Sequence, residues 1–282
     1  MEYREIHPTP ALAAHLECFW FAWDAGAPSP GRPPERILPD GCVEWIFHLG
    51  DPFRRVIAPG SAELQPRSFV VGELTRHLLV APSGRVRMMG VRFRPGGAYR
   101  FVPMPLDLLT DRVAAIADVW GEDGRRIEDA VMTARHDGDR VRRVEAFLVA
   151  RGRLSAERPR LDAAVASILQ SQGSARVSDL AHLVGSSPRQ LERDFRIGVG
   201  LTPKGLARTI RFQGLMRHLG ESRLREWARL ALDAGYADQA HMVREFREFA
   251  GQTPSVHRAA PPGDLARHFV SARRLAALLD VR

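Results

Sequence analysis

Two short stretches of this sequence present polar side chains at helical spacing. Arg189, Glu192, Arg193 and Arg196 fall opposite Leu191 and Phe195, and Gln239, His241, Arg244 and Arg247 fall opposite Met242, Phe246 and Phe249. Their chemistry is recognition by hydrogen bonding. A guanidinium can grip guanine O6 and N7 with two parallel bonds, an amide can pair with adenine, and a carboxylate can accept from cytosine N4. The rival reading is a solvated helix face, with Arg193 and Arg244 tied up in salt bridges inside the fold.

The elements that carry these residues are copies of one another. Ser187, Leu191, Arg193, Phe195, Gly200, Thr202 and Pro203 recur 51 positions later as Asp238, Met242, Arg244, Phe246, Gly251, Thr253 and Pro254. Leu180, Ala181 and Gly185 recur 50 positions later as Leu230, Ala231 and Gly235, so the second copy gains one turn residue. A repeat this coherent is one structural unit used twice. Each copy reads as helix, tight turn, helix. Ser178 is the expected N-cap of the first helix and Gly185 its end; Ser187 then caps the next, with Pro188 at the first position, where no donor is lost. Asp238 is the matching cap in the second copy. Pro203 to Leu219 reads as one long helix between them, with Leu206, Ile210, Phe212 and Leu219 inward.

Helix, glycine turn and a second helix with Arg-bearing exposure is the geometry that reads a DNA major groove. On the segments DLAHLVGSSPRQLERDFRIGVGLTP and LALDAGYADQAHMVREFREFAGQTPSVHR, this region resembles the DNA-binding part of the AraC/XylS family of transcription regulators. The resemblance implies base-facing roles for Arg189, Glu192 and Arg193 on the first recognition helix and for Gln239, His241 and Arg244 on the second. Arg196 and Arg247 are phosphate candidates. Ser187 is a cap whose helix N-terminus can approach phosphate. The family also implies double-stranded DNA and RNA polymerase as partners, a long helix holding two reading heads apart, and an N-terminal barrel-like sensing or dimerising domain. LPDGCVEWIFHLG and GVRFRPGGAYRF resemble such a domain.

Charge supports this division. The chain carries a formal net charge of +8; from residue 159 onward there are 19 basic against 12 acidic residues, so most of the excess lies in the repeat and its tail. Residues 1 to about 93 read as short strands separated by turns, suggesting a small antiparallel barrel or sandwich. PLDLLTD and VAAIADVWG read as short helical turns, followed by amphipathic segments at about 125–135 and 139–150. The expected fold class is therefore α+β: an N-terminal domain over 1–155, a linker at 151–159, an all-α DNA-binding domain over 159–260, and a helical tail over 261–282. The start of the sequence lacks a signal-like apolar stretch and no run has membrane-span length, so a cytoplasmic protein is expected.

Other chemistry is thinner. Glu44, His48 and His77 invite a metal, but the His-x-His followed by Glu of cupin-type sites is missing, and neither metal nor cofactor is expected. Cys18 and Cys42 read as buried thiols. They leave one enzymatic rival, a DNA-repair alkyl acceptor, without an evident activated cysteine. Trp20, Trp23, Trp45 and Phe47 either line a pocket for an apolar effector or simply pack a core. The remaining rival is a ligand-independent DNA-binding protein whose barrel dimerises.

Overall fold

The computed structural model describes residues 1–24, 32–152, 157–219, 227–260 and 263. Among these residues, ten strands precede the main helices: β1 (Glu2–Ile6), β2 (Leu16–Trp23), β3 (Glu35–Ile37), β4 (Glu44–His48), β5 (Arg54–Ala58), β6 (Ser61–Leu64), β7 (Ser68–Val71), β8 (Leu78–Ala81), β9 (Arg87–Phe93) and β10 (Val113–Ala115). They form two antiparallel sheets, of order β1-β2-β9-β4-β7-β10 and β3-β8-β5-β6. Of the two architectures expected, the sandwich is the one formed, because among the described residues the strands make two separate sheets and neither closes on itself.

The larger sheet is covered on both faces. Cys18, Trp20, Ile46, Phe69 and Met88 face Leu78 and Val80 of the smaller sheet, while Phe19, Phe21, Trp45, Phe47 and Val91 join the core formed with the helices. This explains why LECFWFAW is buried over almost its whole length instead of alternating. Gly90 on β9 makes the packing possible, since a Cβ there would fall inside the Trp20 indole.

The first long helix, α1 (Ile116–Thr133), and α2 (Asp137–Gly152) lie outside the larger sheet; α1 contains a non-helical break at Gly121. Two expectations are corrected here. Residues 113–115 are a strand that pairs with β7, not the start of a helical turn, and the segment expected from 125 is one element with residues 116–124. β-branched Val113 and the unpaired edge of β7 account for the strand. The linker expected at 151–159 lies partly outside the described residues, and the tail expected over 261–282 lies outside them except for residue 263.

The helical region comprises α3 (Pro159–Gln170), α4 (Val177–Leu183), α5 (Pro188–Gly198), α6 (Pro203–Leu219), α7 (Trp227–Asp233), α8 (Gln239–Ala250) and α9 (Pro254–Ala259). Its two halves are packed differently. Leu161, Val165, Leu191, Phe195 and Leu201 share one core with Leu106, Leu109 and the outer face of the larger sheet. Phe212, Trp227, Leu230, Met242, Phe246 and Phe249 form a second core to which, among the described residues, Leu38 is the sandwich's one buried contributor.

Candidate nucleic-acid interface

The sequence repeat extends to individual hydrogen bonds. The turn after α4 is closed by Ser186 N donating to Ala181 O at 2.9 Å, and the turn after α7 by Tyr236 N donating to Ala231 O at 2.9 Å. Gly185 and Gly235 both take positive φ there. Ser187 Oγ accepts from Gln190 N at 3.2 Å and Asp238 Oδ1 from His241 N at 2.6 Å, so both recognition helices, α5 and α8, are capped as expected. Thr202 and Thr253 repeat the device at the next helix, accepting from Gly205 N at 3.0 Å and Val256 N at 3.3 Å. Ser178 does not cap: α4 starts one residue before it, after Arg176, and the Ser178 hydroxyl bonds the neighbouring Asp179 carboxylate. Replacing Asp238 with Ala is expected to cost about 1 kcal/mol of stability, read by urea unfolding. An unchanged midpoint would show that water replaces the cap.

Arg189, Glu192, Arg193 and Arg196 are exposed on α5, and Gln239, Arg244 and Arg247 are exposed on α8. Among the described residues, Arg193 and Arg244 make no ion pair, so the salt-bridge alternative does not occupy them. His241 is only half exposed; it meets the Tyr236 ring edge-on and stands 3.9 Å from Glu245. Sequence reasoning missed Glu245 itself. It is 4% exposed and held by Arg208 at 2.7 Å and Arg211 at 3.3 Å, while Arg208 and Arg211 also lie over the Phe249 and Tyr236 rings. This clamp fixes α8 against α6. The residue 51 positions earlier, Asp194, instead accepts from Gln190 Nε2 on its own helix at 2.8 Å, so the clamp belongs to the second unit alone.

One segment of the sandwich reaches both units. Glu73 lies against Gly200, just after α5, while His77 N donates to Phe249 O at 2.7 Å and its ring abuts Gly251, just after α8. Gly200 and Gly251 are partners in the repeat. Asp111 stiffens this segment, accepting from Thr75 N at 2.8 Å and from the Thr75 hydroxyl at 2.5 Å. Thr110 Oγ1 donates to Gly200 O at 2.6 Å, and Gln213 Nε2 of α6 donates to Pro39 O at 2.6 Å.

The other sequence candidates disperse. Glu44 pairs with Arg92, His77 meets α8, and His48 is buried between the Phe53 and Phe69 rings, where burial pulls its pKa down to about 4. Among the described residues, no group of three or more His, Cys, Asp or Glu side chains is placed to hold a metal ion. Cys18 and Cys42 are buried free thiols, and burial pushes both upward, away from the thiolate that an alkyl acceptor needs. Of the four aromatic candidates, Trp20 lines the cavity between the sheets. Trp45 and Phe47 pack on the opposite face, Trp45 with its ring centre 4.7 Å from that of Trp120, and Trp23 edges a separate surface cleft.

Fold and exposed faces together define a helix-turn-helix DNA-binding region carried beside a β-sandwich. Residues 180–260 match the family model described as a helix-turn-helix domain, and residues 4–115 match one described as a domain of unknown function, DUF6597. The C-terminal region therefore carries a helix-turn-helix domain, as its repeat predicts. Among solved structures, the chain is similar to ToxT from Vibrio cholerae in its P21 form, with 8% identity, 85% of this chain and 97% of that chain covered, and a TM-score of 0.46. It is also similar to ToxT from Vibrio cholerae O395 bound to (E)-4-(8-methylnaphthalen-1-yl)but-3-enoic acid, with 10% identity, 85% and 98% covered, and a TM-score of 0.45. No curated protein matches the sequence. Among the described residues, no helix is long and apolar enough to cross a membrane.

Proposed function

We propose that this protein is a sequence-specific transcription regulator acting in the cytoplasm. Its helical region, taken as a domain over 159–260, reads duplex DNA with two heads, and the sandwich, taken as a domain over 1–155, governs how those heads are presented. Arg189, Glu192 and Arg193 are the proposed base contacts of the first head, and Gln239, His241 and Arg244 those of the second. Arg196 and Arg247 face phosphate, and Ser187 holds the first helix N-terminus near it. The observation that carries this reading is that Arg193 and Arg244, equivalent in the repeat, are both exposed and free of ion pairs among the described residues. Helix α6, with 17 residues, supplies a connector of about 25 Å between the heads. Response to a small-molecule effector is the proposed role of the sandwich, supported by its internal cavity and its contacts with both units. RNA polymerase and a second copy of the chain are further proposed partners.

The test is selection of genomic DNA fragments by purified protein at fixed salt, repeated with Arg193→Ala and Arg244→Ala. Each substitution is expected to cost about 1–3 kcal/mol on the selected site and to relax preference at a different block of bases, about 34 Å apart along the duplex. Enrichment of no sequence, with binding that vanishes steeply as salt rises, would mean phosphate contact alone and would overturn specific regulation.

A further inference from the structure

The cavity between the sheets has an unusual lining. Trp20, Phe53 and Phe69 contribute aromatic walls, and Asp40 and Glu44 bring two carboxylates into an otherwise largely apolar space of about 60 Å³. By the room one water needs, that volume admits a group of about four to six heavy atoms. The charges behind the wall do not balance. Arg92, 3% exposed, serves three carboxylates at once: Glu17 at 3.1 Å, Asp40 and Glu44. A fourth, Glu73, is 1% exposed, and among the described residues neither of its oxygens has a hydrogen-bond partner. Its carboxyl belongs to the same cluster, since Asp40 and Arg92 are the charges that act on it. Among the described residues, four carboxylates, Glu17 and Glu73 buried and Asp40 and Glu44 largely so, stand around one guanidinium, a deficit of positive charge that protons or a cation can fill.

We propose that this cavity binds an organic ammonium group, held by the Glu44 and Asp40 carboxylates against the faces of Trp20, Phe53 and Phe69. Aromatic faces attract a cation through the ring quadrupole, most strongly where water is excluded, and a carboxylate in such surroundings adds a Coulomb attraction much larger than in water. A carboxylate ligand would meet like charge, and a neutral alcohol would leave the deficit unfilled. This assignment rests on the sandwich being the sensing part, and it supplies the connection that such a part needs. Leu74 lines the cavity and sits between Glu73 and His77, the two residues that touch the equivalent turns after α5 and α8. Leu38 and Asp40, also in the lining, flank Pro39, whose carbonyl is bonded to α6.

Burial pushes the Glu44 carboxyl up to about 7, with Arg92 on β9 opposing and Asp40 and Glu17 reinforcing the shift; its neighbour across β7 is the uncharged Val71. Ammonium binding that draws on the ionised Glu44 should therefore strengthen about tenfold between pH 6 and pH 8. The experiment is calorimetric titration and thermal shift of the full chain with butylammonium and tetramethylammonium, against 1-butanol and butyrate. At least one ammonium ion is expected to raise the melting temperature and to bind at least about tenfold tighter than 1-butanol or butyrate. Glu44→Gln should abolish that preference. If this variant does not fold, the pH dependence of the unaltered protein decides. Equal binding of 1-butanol or butyrate, no shift with either ammonium ion, or pH-independent affinity would overturn the assignment. Fragment selection with and without butylammonium separates ligand binding from the effector role. Binding that leaves DNA selection unchanged would keep the ligand class and sink the effector role. DNA selection without any ammonium binding would do the opposite.

Discussion

Arg92→Ala is expected to lower the stability of the sandwich by about 3–5 kcal/mol, the range found when one partner of a buried ion pair is removed and the other charge stays behind. Here the guanidinium satisfies Glu17, Asp40 and Glu44 together, and its removal strands all three inside the fold. The loss should depend on pH with a definite sign. Burial raises the folded-state pKa of Glu17, and that of Glu44 to about 7, above their ordinary values, so the folded protein holds protons that the unfolded chain has already released. Stability from such groups is present below the unfolded pKa and is lost as pH rises through the folded one. Without Arg92 the folded values climb further, so the variant should lie closer to the unaltered protein near pH 5 than at pH 8. Urea unfolding at the two pH values measures this. A cost under about 1 kcal/mol at pH 8 would mean that water already enters the cluster. Adding Glu17→Gln and Glu44→Gln to the Arg92→Ala background should recover part of the loss, because fewer charges are then stranded.

That cluster also marks where the sequence stops being readable. The two helix-turn-helix units announce themselves because caps, glycine turns and inward residues sit at fixed local offsets, and the same offsets reappear 51 residues later. Glu17, Asp40, Glu44 and Arg92 have no such signature. They meet around β9: Glu44 of β4 is paired directly with Arg92, the irregular register of β2 between Leu16 and Cys18 sets Glu17 beside it, and Asp40 comes from the loop before β4. The alternation on β4 was legible, with Glu44 and Ile46 on one face and Trp45 and Phe47 on the other. What the alternation could not tell is that both faces are interior, one against the smaller sheet and one against the helices. Trp20 and Trp45 therefore look alike in sequence yet face different spaces, a cavity and a packed core. Ser178 failed as a cap for a related reason. Capping depends on where the chain leaves helical geometry, and Arg176 already occupies that position.

The contacts between the sandwich and the second unit predict an effect that can be isolated in a double-mutant cycle. Gly251 ends α8 at φ 66°, in the left-handed region, and a Cβ there would fall on the His77 imidazole. Gly251→Ala should therefore cost about 2–4 kcal/mol: roughly 1 for an L side chain in that conformation, and the rest for displacing the ring. Only the first part belongs to α8 itself. In a His77→Ala background the ring is gone, so the same substitution should cost about 1 kcal/mol, leaving a coupling of about 1–3 kcal/mol between the two sites. Because, among the described residues, the second core draws only Leu38 from the sandwich as a buried member, Gly251→Ala should also loosen this unit selectively. Trp227, buried in that core, should report its unfolding at a lower urea concentration than circular dichroism reports for the strands. The first unit shares its core with the sandwich and should unfold with it. Equal costs for Gly251→Ala in both backgrounds would show that the His77 ring gives way freely, so that the segment from Glu73 to His77 would hold only the first unit firmly and could not fix the relative placement of the two heads.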